Sequence, residues 1–258
     1  MFLHYARRAP RFTTRLATRL AAFVLTVAAG AASLRAQGAA PGEWKLGGTV
    51  DAAYVSATGN SEVTTVSLGD KLAATRGHWT LRQSVAYVYG KTDGTESANQ
   101  LTVGGRAEYR ISTRFSAFAG VVYGRNPYAG YKRRVDELAG ATWLAVAAPE
   151  DSLTMDAGGV LTQQDNTDGT SDRSPSARAA VTYRHIFKKN TFFSQSIEYV
   201  PNLEESGSYR LNSESAAVAP LSARVSLKLG YLVQYNSRPP DAFKTTDRLF
   251  TSGLQVSF

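Results

Sequence analysis

Apolar and polar side chains alternate along most of this chain, and short clusters of Gly, Asn, Asp and Pro interrupt them at a steady interval. One segment sets Leu101, Val103, Ala107, Tyr109 and Ile111 against Gln100, Thr102, Arg106, Glu108 and Arg110. Another sets Val225, Leu227, Leu229, Tyr231, Val233 and Tyr235 against Arg224, Ser226, Lys228 and Gln234. Successive side chains of a strand point to opposite sides, so each segment is a strand with one oily face and one wet face. The pattern predicts about twelve of them, near 44–58, 62–75, 79–90, 98–111, 115–125, 132–147, 152–164, 176–187, 191–200, 208–218, 223–236 and 247–258. In the last, Phe250, Leu254, Val256 and Phe258 share a face, opposed by Thr251, Gly253, Gln255 and Ser257.

The connections sort into two kinds. Arg76 to His78, Ser112 to Arg114, Ala148 to Asp151, Lys188 to Asn190 and Ala219 to Ser222 are tight, whereas Lys91 to Glu96, Asn126 to Tyr131, Asp165 to Ser174, Pro201 to Gly207 and Ser237 to Thr245 are mostly longer. An even strand count with short turns at one end and longer loops at the other predicts an all-β, up-and-down antiparallel transmembrane β-barrel. Aromatic residues supply a ruler. Trp44 and Tyr54 share a face, as do Trp79 and Tyr89, and ten tilted steps of ~3.3 Å rise ~25 Å, the height of an apolar belt. One girdle is expected from Trp44, Trp79, Tyr109, Phe115, Tyr183, Phe187, Phe193 and Phe258, the other from Tyr54, Tyr87, Tyr89, Tyr123, Tyr199 and Tyr235. A soluble sandwich or periplasmic ligand-binding β-protein would show the same alternation turned inside out. The start and the end of the chain favour the membrane.

At the start, Arg7, Arg8, Arg11, Arg15 and Arg19 precede an apolar run from Leu20 to Ala32. This predicts a secretory signal peptide over 1–36, with the barrel over 37–258. The run is too short for a spanning helix, which needs ~20 residues. It also accounts for most of the net charge of +8: the six Arg of 1–36 leave 29 − 6 = 23 basic against 21 acidic residues. A balance of +2 points to no nucleic-acid partner. The chain has no cysteine, so an exported protein of this kind would rely on closed strand pairing rather than disulfides. At the end, Phe250, Leu254, Val256 and Phe258 resemble the terminal signal read by the barrel-assembly machinery of bacterial outer membranes. Outer-membrane lipid and lipopolysaccharide are the other expected partners, for a monomer.

The wet face carries the remaining chemistry. Arg82, Arg106, Glu108, Arg110, Asp156, Arg178, Arg184, Glu198, Glu214, Arg224 and Lys228, with Asp51, are expected to line the lumen. Twelve strands lie between barrels filled by side chains and barrels holding a channel. Mutual pairing would make these charges a polar plug; unpaired cations would line a narrow pore biased toward anions. No catalytic, cofactor-binding or metal-binding residue is expected. Beyond the leader the histidines are His78 and His185, both near short turns, where a lipid hydrolase of the outer leaflet would not place its base. Gln164 to Gly169 lacks the first acid and closing Glu of a calcium loop.

Gly59-Asn60-Ser61-Glu62, Arg76-Gly77-His78-Trp79-Thr80, Arg125 to Tyr131 and Ser237-Arg238-Pro239-Pro240, with Thr246-Asp247 and the final Phe258, resemble the bacterial family catalogued as domain of unknown function 481. Its members are labelled as salt-induced outer-membrane proteins. The resemblance implies the fold and the compartment and supplies no reaction. The expected role is a narrow channel or a structural, stress-related envelope barrel, with an outer-membrane lipid-modifying enzyme as the alternative. Two positions disagree with the simple pattern. Asp70 falls on the face of Val66, Leu68 and Leu72, so a bulge or a position near the interface is expected there; and Leu138, Leu144 and Val146 compete with Ala139, Ala141 and Trp143 for the outer face of the sixth strand.

Overall fold

The computed structural model describes residues 43–57, 63–188, 191–240 and 243–258. The expected signal peptide and the Gly59–Glu62 motif lie outside them. Twelve strands follow one another: β1 (Lys45–Ala57), β2 (Val63–Arg76), β3 (Trp79–Thr92), β4 (Thr95–Arg110), β5 (Phe115–Asn126), β6 (Tyr131–Ala147), β7 (Asp151–Asn166), β8 (Ser171–Ile186), β9 (Phe192–Pro201), β10 (Tyr209–Pro220), β11 (Val225–Asn236) and β12 (Thr246–Ser257). Each is antiparallel to its sequence neighbours, and β1 pairs with β12 from Thr49 opposite Ser257 to Ala53 opposite Gly253. The sheet is a closed ring, so no edge strand is left with unpaired backbone groups.

Local chemistry fixes the tight end. Ile111–Arg114 and Leu221–Arg224 form the same turn: the Ser112 and Ser222 hydroxyls each accept from two following amides, at Arg114 and Phe115 and at Arg224 and Val225. At the opposite end the strands run further than the alternation suggests. The expected long connection Lys91–Glu96 is a two-residue turn, Asp93-Gly94, with both residues at positive φ (49° and 77°). That is the turn that matches the twist of a hairpin. The expected loop Asp165–Ser174 shrinks to Thr167–Thr170 because β7 and β8 stay paired up to Asp165 opposite Ser171. β4, β6, β7 and β8 thus project as hairpins past the ~10 residues that cross an apolar belt.

Register decides which face is which, and it settles the sixth strand. Gly140 lies opposite Phe118, and Thr142 opposite Ser116 and Asp156, which puts Leu138 and Leu144 inside and Ala139, Ala141 and Trp143 outside. A bulge between Leu144 and Val146 then returns Val146 to the outer face opposite Leu153. β2, by contrast, pairs without a bulge on both sides of Asp70, so Asp70 faces outward, between Val50 and Val85 and within hydrogen-bond reach of Gln83. Its neighbour, rather than a bend in the strand, accommodates it.

The outer surface is apolar and exposed: Leu46, Leu81, Leu211, Leu227, Leu229 and Leu254 (50% exposed) all lie on it. Aromatics cluster at two heights. Trp79 meets Tyr109 edge-on at 5.0 Å and Phe115 stacks on Trp143 at 6.2 Å near the tight end; Tyr209 contacts Tyr199 and Tyr235 at 5.4 and 5.5 Å near the other. The interior is not purely polar. Val88, Phe118, Val160, Val200 and Val218 are buried inside the ring among the charges.

Candidate functional site

Contacts between strands that are not neighbours can pass only through the interior, and they measure how open it is. Gln100 on β4 donates to Gln234 on β11 at 3.4 Å, although these strands stand five places apart in the ring. Twelve strands ~4.8 Å apart and tilted ~40° close into a cylinder of radius ~12 Å, in which that separation would be ~23 Å. Two glutamine side chains reaching ~5 Å each span no more than ~14 Å between Cα atoms. The ring is therefore flattened, bringing β4 toward β11. Lys71 on β2 meets Glu214 on β10 at 3.5 Å, and Arg210 on β10 meets Asp136 on β6, each across four places.

The charges inside form a chain. Arg82 Nε donates to Glu108 Oε1 at 3.0 Å; Arg106 Nε sits 2.8 Å from the same oxygen as an ion pair, its N–H not aimed at it. Arg106 donates to Asp156 at 2.6 Å, Arg178 to Asp156 at 3.1 Å, and Arg178 again to Glu198 at 2.6 Å. Thr142 Oγ1 donates to Asp156 at 2.6 Å and Asn212 to Glu198 at 3.0 Å. Three arginines thus alternate with three carboxylates, and the chain is neutral. The Arg106 guanidinium also lies over the Phe118 ring at 3.7 Å. Room for that ring comes from Gly140 and Gly158, which face each other so closely that a Cβ on either would strike backbone of the other strand, and one on Gly140 also Phe118. On the opposite wall Lys228 donates to Asp51 at 2.8 Å.

Of the expected lumen residues, Arg82, Arg106, Glu108, Asp156, Arg178 and Glu198 come together in that chain, Glu214 joins Lys71, and Lys228 joins Asp51. Arg184 stands apart, its guanidinium stacked 3.8 Å over Phe192. Arg110 donates to the Gly77 carbonyl at 2.9 Å at the tight end, and Arg224 falls in the turn before β11. Arg110 is the last residue of β4, paired with Ser116 at the rim, whereas Arg224 precedes β11. Asp136, Arg134 and Arg210 were not singled out, although their spacing from Leu138 and Glu214 puts them on the same face. Once Trp143 is assigned outside, the even positions of β6 are inside, and both charges become legible. Phe250, Leu254 and Val256 face outward and Phe258 follows the end of β12.

A second group sits toward the long-loop end. Arg210 grips Asp136 with both Nη nitrogens at 3.0 and 3.1 Å, and Thr162 donates to the same carboxylate at 2.5 Å. Arg134 donates Nε–H to Gln164 Oε1 at 2.6 Å and stacks 4.0 Å over Tyr131. Tyr131, Arg134, Asp136 and Arg210 border a cavity of about 250 Å³, and a further one of about 260 Å³ lies beyond Lys71 and Glu214, against Val88, Leu232 and Leu249.

The two histidines and the β7–β8 turn have partners of their own. His185 Nδ1 lies 2.8 Å from Asp151, which also accepts from Tyr183, on the outer face at the tight end; among the described residues no serine hydroxyl hydrogen-bonds to it. His78 Nδ1 rests on the Arg110 carbonyl at 2.8 Å. In the β7–β8 turn, the Thr170 hydroxyl and amide both donate to Asp168, which holds its carboxyl below the usual range, and Asp165 is taken by Arg133 and Ser171. Among the described residues no cluster of His, Asp and Glu could hold a metal ion.

The fold is shared with an outer-membrane channel from Pseudomonas putida F1, at a TM-score of 0.50 and 13% identity over 85% of this chain and 97% of that one. The translocator domain of the autotransporter NalP from Neisseria meningitidis aligns with 94% of this chain and 98% of its own at a TM-score of 0.48 and 13% identity. In sequence, the uncharacterized protein YdiY of Escherichia coli K12 is 26% identical over 214 residues, covering 81% of this chain and 82% of that one. The family model described as "Protein of unknown function, DUF481" matches residues 50–258, and the chain belongs to that family.

Proposed function

We propose that the protein is an integral outer-membrane barrel closed by its own side chains, a structural element of the envelope or a channel that is shut at rest. The observation that carries this reading is the set of contacts across the ring, Gln100 to Gln234, Lys71 to Glu214 and Arg210 to Asp136, which flatten the cylinder and occupy its interior. A belt of exposed leucines and valines between two aromatic girdles supports insertion in lipid, since soluble monomers rarely expose contiguous apolar patches beyond a few hundred Å². The tight-turn end then faces the periplasm and the longer connections face outward, in a monomer surrounded by lipid and lipopolysaccharide and inserted by the assembly machinery through Phe250, Leu254, Val256 and Phe258. No catalytic role is assigned, because His185 has an orienting carboxylate and no nucleophile beside it among the described residues.

Planar-bilayer recording tests the closed state. Wild-type protein should give no steady conductance, while a double variant, Asp136→Ala with Lys71→Ala, which removes two of the three contacts across the ring, should give discrete steps. Steady ion-selective steps from the wild type would sink the reading.

A further inference from the structure

At the long-loop end of the interior, Arg134 is a cation without a carboxylate partner among the described residues. Arg178 is matched by Asp156 and Glu198, Arg210 by Asp136, and Lys244 stands near Asp247. Arg134 has no carboxylate within ion-pair distance among the described residues, and its electrostatic neighbours include Arg210, so two guanidinium groups share one aspartate. Its geometry is nonetheless fixed. Nε–H is spent on Gln164 and one face of the fork on Tyr131, which leaves both Nη groups without a hydrogen-bond partner among the described residues. A planar fork held from one edge and one face, with its free donors side by side, is prepared for a carboxylate.

The space in front of it is suitable. Arg134 borders both the 250 Å³ cavity and a neighbouring one of about 310 Å³ that reaches Asn202, Ser208 and Arg238 at the long-loop mouth. The first has room for about eight waters at ~30 Å³ each. Asn212, Gln234 and Asn236 present amide groups on one side, Leu138 and Val160 a dry wall on the other. Such a lining suits a molecule that carries hydroxyl groups as well as charge. Four cations and three carboxylates line this cavity, an excess of one positive charge.

We propose that this cavity binds a small hydroxylated monocarboxylate, with the carboxylate on the Nη groups of Arg134 and the hydroxyls on the amide side chains. This goes beyond the closed-barrel reading and does not depend on conductance or on membrane location.

The test is calorimetric titration of the full chain, refolded in detergent, at low ionic strength. Sodium glucuronate should bind saturably at one site, whereas glucose, of similar size and uncharged, and sodium chloride should not. Arg134→Gln should weaken glucuronate roughly ten- to a hundred-fold, as expected for losing hydrogen bonds to a charged group. Gln164→Ala, which frees the anchored Nε, should weaken it by a smaller factor and serves if Arg134→Gln does not fold. Arg82→Gln, low in the interior chain, should leave affinity unchanged. No saturable heat from the wild type, equal binding of glucose, sodium phosphate binding as tightly as glucuronate, or an Arg134→Gln variant that still migrates as a folded, heat-modifiable barrel and binds normally would each overturn the proposal. A conducting wild type that binds glucuronate through Arg134 would overturn only the closed-barrel reading.

Discussion

Asp156 is the keystone of the interior chain, and Asp156→Ala measures what the chain contributes. The carboxylate accepts from Arg106, Arg178 and Thr142, and its side chain is only 12% exposed. Removing it leaves two guanidinium groups with Glu108 and Glu198 alone, and the neutral chain gains a net positive charge. Breaking a buried pair by deleting one partner costs about 3–5 kcal/mol. Each arginine keeps one carboxylate here, so about 3 kcal/mol is expected. Asp165→Ala is the control, because its pair with Arg133 is open to solvent, with side chains 37% and 53% exposed, and such pairs are worth under about 1 kcal/mol. Reversible urea unfolding in lipid vesicles, followed by the fluorescence of Trp44, Trp79 and Trp143, reads both. If Asp156→Ala loses no more than Asp165→Ala, the interior is water-filled and screened, and the chain of charges holds nothing together.

Two further substitutions test packing and sidedness. Gly140→Ala drives a methyl into the β7 backbone and the Phe118 ring, and should cost about 1–3 kcal/mol, seen as a lower temperature for loss of the compact form in a gel-shift assay; an unchanged midpoint would show that β6 and β7 are further apart than described. Asp70→Leu removes a carboxylate from the outer face between Val50 and Val85, and should stabilise the barrel in vesicles by about 1 kcal/mol, since acids on a lipid face are unfavourable there. A loss of stability would place Asp70 against water or against a partner.

The alternation of side chains sufficed for the twelve strands, their order and most of their outward faces, because each depends only on near neighbours: a strand exposes every second residue, and a turn needs a few residues of the right kind. It also marked Arg106, Glu108, Asp156, Arg178 and Glu198 as one inward set. The face of β6 stayed open because a single-residue bulge at Ala145 reverses the parity, and a bulge is set by how β6 registers against β7. Arg224 was expected in the interior because the end of a pattern does not reveal where a strand starts, and Arg110, the last residue of β4, turns to the Gly77 carbonyl at the rim.

What sequence alone determined, then, is which residues face which way along most of the strands. Which charges meet, and which strands approach one another across the interior, were decided only by closure of the ring. Those outcomes depend on distances between strands far apart in the chain, and it is the flattening of the cylinder that brings Gln100 to Gln234 and Arg210 to Asp136 while Arg134 borders a cavity.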